Sequence, residues 1–227
     1  VIDEATNFGT AANPYVPQNY DGLFRGPVTL RQALAQSLNI PSIKVLASLS
    51  GLEYGIRTAE KLGITTLTES PSFYGLPLVL GGGEVKLLEL VSAYGVFATE
   101  GLRVPPIAVA KILDSEDNTI EESTNTPKRV LNPEVARLIT SILSDNEARA
   151  PIFGWRSPMY FENYPVAAKT GTTENYKDGW IVGYTPSISV GVWVGNNNNT
   201  PMLAEPGVVV AGPIWRSFME KAITKWF

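Results

Sequence analysis

The segment that most restricts the fold lies between residues 165 and 195, where three strand-like runs are separated by two short turns. Apolar side chains occupy every second position of the last run, at Ile188, Val190, Val192 and Val194. This period of two is typical of a strand with one buried face. Pro186-Ser187 favours a tight turn between antiparallel neighbours. The pattern therefore predicts an antiparallel sheet with strands over residues 165–172, 179–184 and 188–195.

Residues 1–27 are rich in Asn, Pro, Tyr and Gly, which indicates a long irregular loop, and helical patterns recur between this loop and the sheet. Thr29 and Gln32 fit a capping box, which predicts the start of a helix. Pro41 suits the first position of a second helix over residues 42–50, and Gly51 would end it. Further helices are predicted over residues 53–62, 85–99, 133–143 and 212–226.

Two of these helices carry predictions about the core. The helix over residues 85–99 is apolar on nearly all sides, which indicates that it is buried. The last helix has a stripe of residues four apart that is expected to cover the sheet: Ile214, Phe218, Ala222 and Trp226. Between the helices, a hairpin is predicted with its turn near Asp117 and Asn118. The fold class is α+β, with helices packed on an antiparallel sheet.

The absence of histidine and cysteine restricts the chemistry. It excludes, for these residues, a Ser-His-Asp triad, a thiol nucleophile and a metal site built on imidazole or thiolate. General acid–base chemistry would have to use Lys, Glu, Asp, Tyr or a hydroxyl relay. The net charge of −4, without a block of basic residues, argues against nucleic acid as a partner. No apolar run reaches the roughly 18 residues of a membrane span.

The triplet Lys169-Thr170-Gly171 interrupts the first predicted strand. A strand interior disfavours glycine, and a buried ammonium stabilises nothing there unless it is paired. Either Lys169 lies on an exposed edge of the sheet by accident, or an anionic ligand binds beside it. Strict alternation places Lys169 and Thr170 on opposite faces, so a ligand shared by both would lie along the strand edge.

Three S-x-N triplets offer candidate polar partners for such a site. Two of them fall near predicted helix ends, where Ser and Asn are common as caps, and the third lies in a polar stretch typical of a loop. Spacing alone does not choose among them. They are Ser37-Leu38-Asn39, Ser144-Asp145-Asn146 and, in the polar stretch, Ser123-Thr124-Asn125.

Three long stretches resemble the transpeptidase domain of bifunctional (class A) penicillin-binding proteins: NYDGLFRGPVTLRQALAQSLNIPSIKVL, LVLGGGEVKLLELVSAYGVFATEG and KTGTTENYKDGWIVGYTPSISVGVWVGN. The resemblance covers nearly the whole chain. It implies the α+β fold of penicillin-binding proteins and serine β-lactamases, with the signature S-x-x-K, S-x-N and K-T-G. The family's helical context matches Ser37 and Asn39, whereas LSDNEAR resembles the family's segment just before the K-T-G strand.

The S-x-x-K element is missing, because no serine stands three residues before any lysine. The resemblance implies that the nucleophilic serine and its base lysine lie upstream of Val1. Residues 1–227 are then expected to be the C-terminal portion of a transpeptidase domain, and to be inactive alone.

The resemblance also implies the reaction and the residues that carry it. A serine attacks the D-Ala-D-Ala amide of a peptidoglycan stem peptide, an amine of a second stem peptide captures the acyl group, and β-lactams acylate the same serine. Ser37 would relay a proton to the leaving amine. Asn39 would hydrogen-bond the substrate backbone and the base lysine, and Lys169 would place positive charge near the substrate carboxylate.

Substrate binding is implied for the K-T-G strand. The hydroxyls of Thr170 and Thr172 would bind the substrate carboxylate, and the Thr172 backbone N–H would be one oxyanion donor. Gly171 would let the substrate backbone approach the strand edge closely. No metal or organic cofactor is implied.

The family's architecture implies a bacterial protein anchored in the cytoplasmic membrane through its N-terminal region. This domain would lie on the extracytoplasmic side, with a glycosyltransferase domain upstream. Two alternatives stay open. One is a serine β-lactamase-like enzyme, and the other is a non-catalytic module that binds peptides or β-lactams.

Overall fold

The computed structural model of the chain describes residues 1–202 and 205–226. Its α-helices are α1 (Leu30–Ala35), α2 (Asn39–Val45), α3 (Leu52–Leu62), α4 (Pro71–Tyr74), α5 (Leu87–Ala98), α6 (Pro133–Leu143), α7 (Asn146–Phe153), α8 (Gly207–Val210) and α9 (Gly212–Trp226). Its strands are β1 (Ile2–Asp3), β2 (Gly26–Pro27), β3 (Leu102–Arg103), β4 (Lys111–Leu113), β5 (Thr119–Glu122), β6 (Lys128–Arg129), β7 (Ala167–Thr172), β8 (Asp178–Tyr184) and β9 (Ser189–Gly195). The fold is α+β, as predicted. No helix in the described part of the chain is long and apolar enough to cross a membrane.

The central sheet has the predicted antiparallel order β7-β8-β9. Lys169 on β7 stands opposite Val182 on β8, and Ile181 on β8 stands opposite Val192 on β9. Within the described residues, β7 and β9 each pair along one edge only. The K-T-G triplet therefore lies on an edge strand, as a ligand shared by both its faces requires.

Helix α9 covers one face of this sheet, but the predicted stripe is confirmed only at Ala222. Ile214 is 56% exposed and Phe218 is 52% exposed, whereas the side chains that enter the core are Trp215, Met219, Ala222 and Ile223. The fourth predicted position, the side chain of Trp226, lies outside the described residues. The prediction was wrong at Ile214 and Phe218, because the indole of Trp215 takes the position against the sheet. The ring packs against Gly183, where an added Cβ would lie 2.4 Å from Trp215 Cζ2.

Helix α5 packs against β8 and β9 on the opposite side of the sheet. The prediction that it is buried all round was wrong, since only Ala93 and Val96 are buried and Leu88 is 63% exposed. The described residues that contact the helix, in α3, α6, β3, β8 and β9, leave Leu87 and Leu88 in its first turn exposed.

Local signals place α1 and α2 close to the predicted positions. The capping box of α1 is present, with the Thr29 side chain accepting from Gln32 N–H. Helix α2 begins at Asn39, three residues earlier than predicted, so Pro41 lies inside its first turn. Proline is tolerated there because the first N–H groups of a helix have no intrahelical acceptor.

Candidate active site

The side chain of Lys169 reaches from β7 to the turn between α1 and α2. Its Nζ donates to Ser37 Oγ at 2.6 Å and to the carbonyl oxygen of Thr170 at 2.8 Å. The first bond joins residues 132 positions apart and is part-buried. The fold thus brings together two of the three predicted catalytic side chains, one from the S-x-N triplet and one from K-T-G.

Ser37 owes its position to the way α1 ends. Ser37 N–H donates to Leu34 O and Leu38 N–H donates to Ala33 O, which is the Schellman pattern. The residue in the left-handed position of this motif is usually glycine, but here it is Ser37, with φ of 60°. A strained backbone therefore holds the hydroxyl that contacts Lys169.

We expect the chain with Ser37→Gly to be more stable than the chain with Ser37→Ala by about 1 kcal/mol. Both substitutions remove the hydroxyl and its bond to Lys169, so their difference isolates the left-handed backbone. Urea unfolding of the two variants under identical conditions measures it. Equal midpoints would show that the Ser37 backbone is not strained.

Asn39 is the first residue of α2 and lines the same groove. Its Nδ2 donates to Gln18 O at 2.7 Å, and its backbone N–H donates to Asn19 Oδ1 at 2.9 Å. The third predicted catalytic residue is therefore anchored to the N-terminal loop rather than to Lys169. An amide nitrogen has two N–H groups, so one hydrogen remains for a substrate.

The predicted substrate-binding residues all line the groove at the edge of β7. Thr172 Oγ1 accepts from the Gly207 N–H at 2.9 Å, which fixes the oxygen and leaves the hydroxyl hydrogen to donate. Position 171 favours glycine for packing inside the sheet as well as for the predicted approach of a substrate backbone. A Cβ at this position would lie 3.3 Å from the Trp180 Cβ on the neighbouring strand. Thr170 contributes its carbonyl oxygen to Lys169.

The electrostatics of the site centre on the Lys169 ammonium. Burial lowers its pKa to about 8, and the positive charge of Arg149 acts in the same direction. Arg149 is itself buried and donates to the carbonyl oxygens of Leu143 and Met159. At neutral pH Lys169 is still mostly protonated, but its proton is more readily given up than that of an exposed lysine.

This shift predicts that stability rises with pH over a defined window. Between about pH 8 and the usual lysine pKa of 10.5, the unfolded chain holds a proton at Lys169 that the folded chain has released. The free energy of unfolding therefore increases with pH there. We expect it to increase more in the unsubstituted chain than in Lys169→Met, measured by urea unfolding from pH 7 to 10. Parallel curves for the two proteins would contradict the lowered pKa.

The other two S-x-N triplets lie elsewhere. Ser144 ends α6, and its Oγ donates to Thr140 O at 2.9 Å. Asn146 Nδ2 donates to Trp155 O at 3.0 Å, and Ser123 is exposed after β5. None of these three residues lines the groove that holds Lys169.

The groove has a volume of about 970 Å³, and its lining is both polar and apolar. The S-x-N and K-T-G triplets supply polar groups. Several helices and turns supply apolar side chains, among them Leu46, Leu67, Leu78 and Leu90. The lining suits a ligand or segment that has both polar and apolar groups.

Two groups of residues brace this groove, and sequence reasoning missed the second. Asp178, which the sequence suggested as a structural residue, closes the turn after β7 by accepting from Thr173 Oγ1 at 2.7 Å and from Trp193 Nε1 at 2.8 Å. The N-terminal loop, predicted only as irregular, supplies Gln18 and Asn19 to Asn39. No periodic signal marks loop residues of this kind, although the polar pair between Pro17 and Tyr20 could have been noted.

The chain is similar in sequence to known proteins. The penicillin binding protein transpeptidase domain family matches residues 5–220. Penicillin-binding protein 1A of Clostridium acetobutylicum is 32% identical over 225 residues, covering 97% of this chain and 26% of that protein. Penicillin-binding protein 1A of Aquifex aeolicus is 35% identical over 219 residues, covering 94% of this chain and 28% of that protein. The chain thus spans little more than a quarter of these relatives.

Solved structures show the same fold. The crystal structure of penicillin-binding protein 1A from Haemophilus influenzae superposes with a TM-score of 0.84 at 22% identity, over 98% of this chain and 38% of that one. Penicillin-binding protein PonA1 from Mycobacterium tuberculosis superposes with a TM-score of 0.85 at 25% identity, over 100% of this chain and 64% of that one. The PonA1 structure in complex with penicillin V superposes with a TM-score of 0.80 at 27% identity, over 92% of this chain and 60% of that one.

Proposed function

The chain belongs to the family of penicillin-binding protein transpeptidase domains, and on that premise we propose that it forms two of the three elements of a serine D,D-transpeptidase active site. The reaction transfers the acyl group of a peptidoglycan stem peptide from D-alanine to an amine of a neighbouring stem peptide. The observation that carries the proposal is the 2.6 Å hydrogen bond between Lys169 and Ser37. It joins the S-x-N and K-T-G triplets in one groove.

Proton transfer to the leaving amine follows from this pair. When the scissile C–N bond breaks, the departing D-alanine nitrogen takes a proton. Ser37 Oγ–H donates it, and Lys169 Nζ replaces it through the bond they already share. The lowered pKa of Lys169 brings its proton affinity closer to the operating pH. Asn39 holds the substrate backbone with its remaining amide hydrogen.

Substrate binding uses the open edge of β7. The carboxylate of the terminal D-alanine lies beside the Lys169 ammonium and accepts from the hydroxyls of Thr170 and Thr172. The position of Gly207 N–H against Thr172 Oγ1 supports this role, because it directs the hydroxyl hydrogen toward an acceptor. Peptidoglycan stem peptides and β-lactams are the partners, and PonA1, a relative of similar fold, was solved with penicillin V.

The acylated serine and its base lysine come from a segment carrying S-x-x-K, outside residues 1–227. These residues are then the C-terminal portion of the domain. In a helix, Ser and Lys three apart share one face, and the opposite face can be apolar. Such a helix suits the groove, since its polar face would meet Ser37 and Lys169 while its apolar face meets Leu67 and Leu90.

The setting of the reaction is the outer face of the bacterial cytoplasmic membrane, where peptidoglycan is assembled. Contact with the membrane is made by regions other than these residues. The exposed Leu87 and Leu88 in the first turn of α5 support the view that further polypeptide covers this part of the domain.

Labelled penicillin tests the proposal. The reagent is mixed with the 227-residue chain and with an extended protein, in which the segment carrying S-x-x-K precedes residue 1, and adducts are mapped by mass spectrometry. We expect no adduct on the chain alone and a long-lived adduct on the S-x-x-K serine of the extended protein. An adduct on Ser37 would overturn the assignment of roles. Rapid turnover of penicillin would favour a β-lactamase, and reversible binding without an adduct a non-catalytic module.

A further inference from the structure

Two buried polar side chains lie beneath the S-x-N turn. Asp3 is 0% exposed and Asn19 is 4% exposed. Asn19 Nδ2 donates to Asp3 Oδ1 at 2.9 Å and to Asp3 Oδ2 at 2.8 Å, and also to Leu23 O at 2.8 Å. Asp3 Oδ2 accepts in addition from the Arg25 N–H at 3.0 Å. Buried polar groups are costly unless they are satisfied, and this pair is satisfied by its own network.

The network contacts the first residue of α2. Leu38, which precedes the helix, makes no side-chain cap, as its side chain has no acceptor. The missing cap is supplied from 20 positions earlier, because Asn19 Oδ1 accepts from the Asn39 N–H at 2.9 Å. The neighbouring Gln18 O accepts from Asn39 Nδ2. Two consecutive loop residues therefore hold both the backbone and the side chain of Asn39.

Asp3 determines which way the Asn19 amide faces. An ionised carboxylate only accepts hydrogen bonds, so it requires the NH₂ group of Asn19 on its side. The Asn19 oxygen must then face Asn39. If the amide turned over, its oxygen would meet the carboxylate and its NH₂ would meet the Asn39 N–H, leaving both contacts repulsive.

We propose that Asn19, oriented by Asp3, is a positioning residue for the reaction. It holds the first turn of α2, and through it the Asn39 amide and the Ser37 hydroxyl that Lys169 contacts. Neither Asn19 nor Asp3 lines the groove. The proposal rests on the proposed function for its effect on acylation, whereas the orientation of Asn39 can be measured without any reaction.

The test compares three variants of the extended protein with a matched control. Asn19→Ala removes the cap and Asp3→Asn removes the orienting carboxylate. The double variant Asp3→Asn/Asn19→Asp exchanges the amide and the carboxylate, and so restores an acceptor toward the Asn39 N–H. Asn13→Ala changes an exposed asparagine of the same loop and is the control. Thermal midpoints are measured for all, and rates are taken well below the lowest midpoint.

We expect Asn19→Ala to lower the rate constant for acylation at saturating penicillin by about 10- to 100-fold. The concentration that half-saturates the protein should change far less, since Lys169, Thr170 and Thr172 bind the carboxylate from β7. Asp3→Asn should show the same pattern, and the double variant should recover only part of the loss, because a carboxylate at position 19 cannot donate to Leu23 O. A residue that affected only stability would not lower the rate constant while leaving the half-saturating concentration unchanged. The double variant would then have no lost rate to restore.

Hydrogen exchange of the Asn39 amide is the second readout. We expect it to be about tenfold faster in Asn19→Ala than in the control, because its acceptor is gone. Wild-type acylation and wild-type exchange in a folded Asn19→Ala protein would overturn the proposal. If the unsubstituted extended protein is not acylated, the proposed function fails, and exchange at Asn39 alone decides whether Asn19 positions this turn.

Discussion

Replacing Asn39 with alanine is expected to slow acylation of the extended protein by penicillin by roughly 10²–10⁴-fold, because it removes a positioned polar group from the groove. Replacing Asn146 should leave the rate nearly unchanged. Asn146 lies outside the groove and donates to Trp155 O, so its loss costs about 1 kcal/mol of stability. Second-order rate constants for labelled penicillin, with thermal midpoints, separate chemistry from folding.

Lys169→Ala is the control for this comparison. Both possible assignments of the S-x-N triplet require that lysine, so its loss should impair acylation in either case. If a well-folded Asn146→Ala protein is not acylated while the Asn39→Ala protein is, the assignment of the site to Ser37-Leu38-Asn39 is wrong. Equal, small effects of Asn39→Ala and Asn146→Ala would remove Asn39 from the reaction.

The largest expected loss of stability is at Trp215. Trp215→Ala should lower the free energy of unfolding by about 3–5 kcal/mol. The side chain is fully buried, its Nε1 donates to Val190 O at 3.0 Å, and its ring meets the Phe161 ring edge-on at 5.9 Å between centroids. Alanine would leave a cavity between α9 and the sheet and would remove the hydrogen bond to Val190 O.

The preceding residue provides a matched control. Ile214 lies in the same helix but is half exposed, so Ile214→Ala should change the free energy of unfolding by no more than about 0.5 kcal/mol. Urea unfolding at neutral pH gives both values. A large loss at Ile214 with a small one at Trp215 would restore the stripe predicted from the sequence and contradict the packing of α9.

The sheet and α9 show how far periodicity predicts this fold. The three central strands were predicted to within two residues at each end, since alternation reports one buried face directly. The bounds of α9 were also predicted, but its buried face was not. Ile214 and Trp215 begin two overlapping apolar stripes, and periodicity does not decide which one meets Gly183. That choice depends on tertiary contacts between residues far apart in sequence.

The candidate site shows the same limit. The motifs led to Ser37 and Lys169, which the fold brings within hydrogen-bond distance. The sequence contained no signal for Asn19, because a loop residue that caps a distant helix follows no period. Nor could it predict the left-handed backbone of Ser37, for the usual marker at that position is glycine.

The turn that ends α1 also has a consequence for laboratory evolution. Glycine at position 37 relaxes the left-handed backbone, and it is the residue that a screen for heat tolerance or soluble yield would favour. The resulting protein would have lost the hydroxyl that contacts Lys169 and that we propose as a proton relay. Stabilised variants of the extended protein should therefore be selected for acylation by a β-lactam as well, because selection for stability alone favours loss of the Ser37 hydroxyl.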